Sequence, residues 1–157
     1  MTLFVSFDNS SYFEINKMVS SDYYFEICIP KINLNEKVYN FNDSRNDVDK
    51  GIMIVKDYDF YKMKGSLILA SHSGNSSISY FKNLYILKKN DIVKILYNGD
   101  EYIYQINEIY DINKNGKFKY NSSDKTIYLI TCDKNNKKRQ NVYKGKLIKI
   151  VKKSTFL

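Results

Sequence analysis

Apolar and polar residues alternate in short runs along the chain, and polar stretches separate these runs. Alternation over four to eight residues predicts a half-buried β-strand, whereas a short continuous apolar run suits a fully buried strand. Residues 25–29, 91–97 and 101–106 alternate, while 66–70 and 126–131 are more continuously apolar. Many short strands of this kind favour an all-β barrel or sandwich.

Particular residues mark the boundaries of several predicted strands. Pro30 ends the first run, because proline cannot donate to a central β-ladder. Asn98 and Gly99 separate the runs 91–97 and 101–106. An Asn-Gly pair between two alternating runs predicts a tight β-hairpin, because both residues tolerate positive φ.

The remaining segments are less regular. Apolar residues within 78–85 recur at helical spacing, so a short helix is expected there. Residues 40–50 and 113–124 are predicted to be polar loops. A final strand is expected over 142–151, with an interruption at Gly145.

Length and hydropathy fit one folded unit. The chain has 157 residues, of which 43% are hydrophobic, which is enough for one domain with a substantial core. We expect an N-terminal extension over residues 1–22 and a single domain over 23–157. No stretch approaches the roughly 18 consecutive apolar residues of a membrane-spanning helix.

A formal net charge of +8 raises the alternative of a basic β-barrel module that binds single-stranded nucleic acid. Only Arg45 and Arg139 of the 25 basic residues are arginines, and the lysines are scattered along the chain. Arginine is the residue favoured for bidentate phosphate contacts. The charge therefore favours a solvated surface, and no nucleic-acid partner is expected.

Rare residues restrict the chemistry further. The chain has one histidine, His72, and two cysteines, Cys28 and Cys132. A structural zinc site needs four ligands, commonly in closely spaced pairs, so no metal site and no cofactor are predicted. The only intramolecular disulfide that this composition allows would join Cys28 to Cys132.

Two of these rare residues directly follow apolar strands. Cys132 follows the run 126–131, and His72 follows the run 66–70. Taken alone, Cys132 could be a buried structural cysteine and His72 a solvated turn residue. Together they fit a thiol mechanism, in which histidine supports the nucleophile and moves its proton. Arg139 lies seven residues after Cys132, and its fixed charge suits support of an oxyanion.

The chain resembles the sortases, cysteine transpeptidases of Gram-positive cell surfaces, over most of its sequence. The residue Cys132 ends a segment similar to the T-L-x-T-C signature of that family. The matching segments are Ile27-Cys-Ile-Pro-Lys-Ile-Asn33, Leu67-Ile-Leu-Ala-Ser-His72, Tyr80-Phe-Lys-Asn-Leu84, Asn90-Asp91-Ile92 and Tyr128-Leu-Ile-Thr-Cys132.

The resemblance implies an eight-stranded sortase-type β-barrel with one or two short helices. It also implies catalytic roles for His72, Cys132 and Arg139, and we expect Thr131 and Ser73 to contact the substrate. Cys132 would cleave an LPxTG-like sorting signal through a thioacyl-enzyme. An amine, from a peptidoglycan precursor or a pilin lysine, would then accept the acyl group. Hydrolysis by water is the alternative outcome for the same intermediate.

Some features depart from the family pattern. Ser71 and Asn90 stand where the family usually has glycine, and Arg139 is followed by polar residues rather than by an apolar strand. No Asp-Pro-aromatic lid precedes the barrel, which disfavours the lidded pilin-polymerising class and leaves the class of sortase open. The resemblance implies action at the extracellular face of the plasma membrane, through an anchor that this chain does not contain.

Overall fold

The computed structural model describes residues 23–153, so the predicted extension 1–22 and residues 154–157 lie outside the described part of the chain. Its regular structure consists almost entirely of β-strands. The strands are β1 (Phe25–Ile29), β2 (Leu34–Val38), β3 (Met53–Lys56), β4 (Ser66–Ala70), β5 (Ile92–Tyr97), β6 (Asp100–Asn113), β7 (Thr126–Cys132) and β8 (Arg139–Val151).

The eight strands form one sheet in the order β2-β1-β5-β6-β8-β7-β4-β3, which curls into a nearly closed barrel. All neighbouring strands are antiparallel except β4 and β7, which run parallel to each other. In the described residues, β2 and β3 form the two unpaired edges of the sheet. The predicted all-β fold of eight strands is therefore confirmed.

Strands β4 and β7 are buried on both of their faces. Ile127 and Leu129 of β7 point into the barrel core, whereas Tyr128 and Ile130 belong to a separate outer apolar cluster. Side chains alternate between the two faces of a strand, so a strand covered on both sides needs apolar residues at successive positions. This explains the continuous apolar runs that the sequence shows here.

Local details separate the confirmed predictions from the corrected ones. Asn98 and Gly99 have φ values of 52° and 85°, and they form the predicted hairpin turn between β5 and β6. The expected helix over 78–85 is wrong in its type, because that segment consists of turns and the 3₁₀ helix Leu84–Ile86. No membrane-spanning helix occurs within residues 23–153.

The predicted interruption at Gly145 is also wrong, because β8 continues through this residue. A Cβ atom on Gly145 would lie 3.1 Å from Ile127 Cγ2 and 3.2 Å from the carbonyl oxygen of Gln105. Glycine is needed here because β8 passes close to both neighbouring strands. The residue permits tight packing rather than a break in the strand.

Candidate active site

The ends of the parallel strands β4 and β7 bring two loops together. Ala70 and Ile130 are the last paired residues of these strands. Beyond them, the Ser71 amide donates to the carbonyl oxygen of Ile130 at 3.3 Å, and the Thr131 hydroxyl donates to the carbonyl oxygen of Ser71 at 2.7 Å. The Ser73 hydroxyl donates to the Cys132 carbonyl oxygen at 2.7 Å. These bonds place the backbones of residues 71–73 and 130–132 side by side.

His72 lies within this paired segment. Its carbonyl oxygen accepts a hydrogen bond from the Phe81 amide at 3.1 Å, which fixes the backbone next to the ring. The imidazole Nε2 lies 2.8 Å from Asp49 Oδ1, and the side chain is 39% exposed. The ring is therefore held at one nitrogen while remaining open to solvent.

Cys132 ends β7 at the rim of an open cleft of about 360 Å³. Cys132 is partly exposed, and two lysines, Lys82 and Lys134, are among the residues of the cleft. The cleft is lined by Ser73, Phe81, Lys82, Tyr85, Thr131, Cys132, Asp133, Lys134, Asn135, Asn141 and Tyr143. A peptide carbonyl can therefore reach the sulfur from solvent.

A buried apolar cluster lies on the outer side of the barrel next to the same cysteine. Tyr128, Ile130 and Cys132 follow one another on one face of β7, and Ile68 and Val142 pack beside the first two from the neighbouring strands. This cluster is covered by three partly buried hydrophobic residues, Tyr110, Ile112 and Phe118. It therefore packs the end of β7 in place, whereas Tyr85 in the cleft is 66% exposed and accessible to a peptide.

Arg139 begins β8, but its guanidinium binds residues of β6. Its Nε donates to Asp111 Oδ2 at 2.6 Å, and its Nη1 donates to Asn113 Oδ1 at 2.7 Å. The first of these bonds lowers the pKa of the Asp111 carboxyl below its usual range. The backbone of Arg139 is nevertheless close to the nucleophile, because its carbonyl oxygen accepts from the Asp133 amide at 3.1 Å.

Strand register gives a further reason for this orientation. Gln140, not Arg139, stands directly opposite Cys132 in the β7–β8 ladder. Successive side chains alternate across a sheet, so Arg139 extends from the other face of β8. The structure thus brings His72 and Cys132 together through their backbones and directs the Arg139 side chain towards Asp111.

Thr131 and Ser73, the predicted substrate contacts, both line the cleft beside Cys132. Their hydroxyl groups already donate to carbonyl oxygens of the facing loop. They therefore align residues 71–73 with residues 130–132, and their contact with substrate stays a prediction. The two cysteines are both free, with Cys28 on β1 and Cys132 on β7, so no disulfide joins them.

Sequence reasoning did not single out Asp49, the residue that binds the His72 ring. It lies in the polar loop between β2 and β3, 23 positions before the histidine. Nothing in its local sequence distinguishes it from Asp43 or Asp47 in the same loop. Within residues 23–153, no group of three or more histidine, cysteine, aspartate and glutamate side chains could hold a metal ion.

Several solved structures with similar folds are sortases. Sortase A of Listeria monocytogenes is 24% identical, with a TM-score of 0.67 over 83% of this chain and 90% of that chain. Sortase C-1 of Actinomyces oris is 22% identical, with a TM-score of 0.69 over 93% of this chain and 86% of that chain. A lid mutant of Streptococcus agalactiae sortase C1 is 19% identical, with a TM-score of 0.69 over 82% and 70% of the respective chains.

Sequence comparison supplies the assignment to a family. No curated protein sequence matches the chain. The family model of the sortase domain matches residues 27–148, which includes every strand of the barrel from β1 to most of β8. The matched region also contains His72, Cys132 and Arg139. The chain therefore belongs to the sortase family of cysteine transpeptidases.

Proposed function

We propose that this protein cleaves an LPxTG-like sorting signal at Cys132 and transfers the resulting acyl group to an amine. The acceptor is an amine of a cell-wall precursor or a pilin lysine. Action on such substrates places the enzyme at the outer face of the plasma membrane, where it anchors surface proteins. The observation that carries this proposal is the side-by-side placement of residues 71–73 and 130–132 beside the open cleft that contains Cys132.

The cleft beside Cys132 suits the binding of the sorting signal. Tyr85 lines it with a ring that is 66% exposed, and Phe81 and Tyr143 contribute further apolar lining. Leucine and proline side chains of an extended peptide would bury apolar area against Tyr85, at about 25 cal/mol per Å² removed from water. A peptide bound in this cleft presents its following threonine carbonyl near the thiol.

Acylation proceeds by attack of the Cys132 thiolate on the threonine carbonyl carbon. The tetrahedral intermediate collapses as the threonine–glycine C–N bond breaks, and His72 gives a proton to the departing amine. The product is a thioester between Cys132 and the threonine carbonyl. The carboxyl-terminal fragment of the sorting signal leaves with a free amino group.

Resolution of the thioester reverses these roles. The acceptor amine attacks the thioester carbonyl, His72 takes a proton from the attacking nitrogen, and the Cys132 thiolate leaves. A new amide joins the sorting-signal threonine to the acceptor. Water in place of the amine gives a free carboxylate, which is the hydrolytic alternative.

Intact-mass measurements on a panel of sorting-motif peptides test this proposal. A peptide that matches the preferred motif should add the mass of its acyl portion to the protein. Added triglycine, or a peptide with a lysine side chain, should then release the acyl group as an amide product. The absence of any adduct across the panel would overturn the proposal, and release only as a free acid would establish the hydrolase.

Arg139 is proposed to support the oxyanion, which requires its guanidinium to leave Asp111 and to reach the face of the sheet on which Cys132 lies. We expect Arg139→Ala to slow acyl-enzyme formation by about 10²–10³-fold, the usual cost of removing one oxyanion donor. Arg139→Lys should recover little of this rate, because an ammonium lacks the planar fork of donors. Stopped-flow acylation rates, with thermal unfolding as a check on folding, measure both effects.

The contact between Arg139 and Asp111 offers a second way to test whether Arg139 acts in catalysis or only joins β8 to β6. Asp111→Asn removes the charged partner of Arg139. If Arg139→Ala acylated at the wild-type rate, the arginine would serve only to tie β8 to β6. Gln140, which stands opposite Cys132, would then become the residue to replace next.

A further inference from the structure

The His72 ring has one bound nitrogen and one free nitrogen within the described residues. Asp49 Oδ1 lies 2.8 Å from Nε2. An ionised carboxylate can only accept a hydrogen bond, so Nε2 must carry a proton and donate. This contact fixes which tautomer the neutral ring adopts, and it leaves Nδ1 to exchange protons with the reacting groups.

The loop that carries Asp49 is anchored to the neighbouring strand. Asn46 Oδ1 accepts from the Ile54 amide at 2.6 Å, and Asn46 Nδ2 donates to the Ile54 carbonyl oxygen at 3.2 Å. A second bond from Asn46 Nδ2 reaches the carbonyl oxygen of Phe41 at 3.2 Å. One asparagine thus connects β3, at Ile54, to the start of the loop, at Phe41.

The turn around Asp49 is also defined by hydrogen bonds. Asp47 Oδ1 accepts from the Asp49 amide at 2.8 Å. The carbonyl oxygen of Asp47 accepts from the amides of Lys50 and Gly51, at 2.9 Å and 3.1 Å. Because Asp47 fixes the backbone on both sides, the Asp49 carboxylate is presented to His72 by an ordered turn rather than by a freely moving chain.

We propose that Asp49 is a positioning residue that holds the His72 imidazole in the orientation and tautomer needed for proton transfer to and from Nδ1. This inference rests on the proposed function of His72. The Asp49 side chain is 78% exposed, so the charge–charge attraction in this contact is weak. The contact therefore acts by orienting the ring. The loop between β2 and β3 thereby contributes to the catalytic machinery.

Three variants test the role of Asp49 in the intact chain. We expect Asp49→Ala to lower kcat for transpeptidation by about three- to tenfold, with KM unchanged, because the ring loses its fixed partner. Asp49→Asn keeps an acceptor oxygen at the same position and should restore most of the rate. Glu101→Gln removes a carboxylate at the β5–β6 hairpin and should leave both constants at wild-type values. A wild-type kcat in Asp49→Ala would overturn the proposal.

The single histidine of the chain provides a readout that does not depend on turnover. Imidazole ¹⁵N chemical shifts should report the Nε2–H tautomer as dominant in the wild type and a mixed population in Asp49→Ala. Identical shifts in the two proteins would refute the positioning role. If no sorting peptide acylated the wild type while the shifts still changed, the proposed function alone would fail.

Discussion

Replacing Cys132 with alanine is expected to abolish acyl-enzyme formation with a sorting peptide, whereas replacing Cys28 with alanine should leave it unchanged. The thioester requires a sulfur nucleophile, and an alanine methyl group cannot bond to the substrate carbonyl. Cys28 lies on β1, and three strands separate β1 from β7 in the sheet. Intact-mass spectra after incubation with the preferred peptide measure the adduct in each variant.

Cys28→Ala is a matched control for this experiment. Both thiols are free and partly exposed, so non-specific acylation by a reactive peptide would label either one. Neither substitution removes a core side chain, and each should change the free energy of unfolding by no more than about 0.5 kcal/mol. Equal adduct in the two variants would remove Cys132 from the role of nucleophile.

Binding should survive the loss of the nucleophile. The cleft keeps its apolar side chains, Phe81, Tyr85 and Tyr143, when the Cys132 sulfur is removed. We therefore expect Cys132→Ala to bind the sorting peptide with nearly wild-type affinity. Peptide binding without acylation would show that the variant has lost the chemical step while its site remains folded.

The parts of the fold that local pattern determines could be predicted. The Asn98-Gly99 turn and the runs on either side of it follow from backbone preferences of a few residues. The sequence pattern does not single out strand β3, because Met53–Lys56 has only four residues. Strands β6 and β8 extend beyond their apolar runs because each pairs with the other as far as Asn113 and Arg139. Such pairing is set by tertiary structure rather than by local sequence.

The candidate site also combines features that the local sequence predicts with features that only tertiary structure sets. A cysteine and a histidine that each follow an apolar strand are visible in the sequence, but the parallel pairing of β4 with β7 is not. Likewise, strand parity turns Arg139 towards Asp111, although its position near Cys132 suggests a shared face. Asp49 reaches His72 only because Asn46 anchors the intervening loop. These contacts depend on long-range register, which residue spacing does not encode.

The second large effect concerns His72. We expect His72→Ala to slow acylation by a peptide substrate by about 10²–10⁴-fold, because the departing amine then lacks a positioned acid. An ester with a phenolate leaving group needs no such proton, so its acylation rate should fall much less. Rates of acyl-enzyme formation with matched amide and ester substrates measure the difference within one variant.

The ester comparison separates the roles of His72 in proton transfer and in thiol activation. An equal loss with both substrates would mean that the imidazole serves the Cys132 thiol rather than the leaving group. Resolution supplies an independent measurement, since the attacking amine must lose a proton whichever substrate formed the thioester. If His72 is the base, the ester-derived acyl-enzyme of His72→Ala will accumulate in the presence of triglycine, whereas the wild type will release it. Rapid release by the variant would contradict this role, because the fold offers no second imidazole to replace His72.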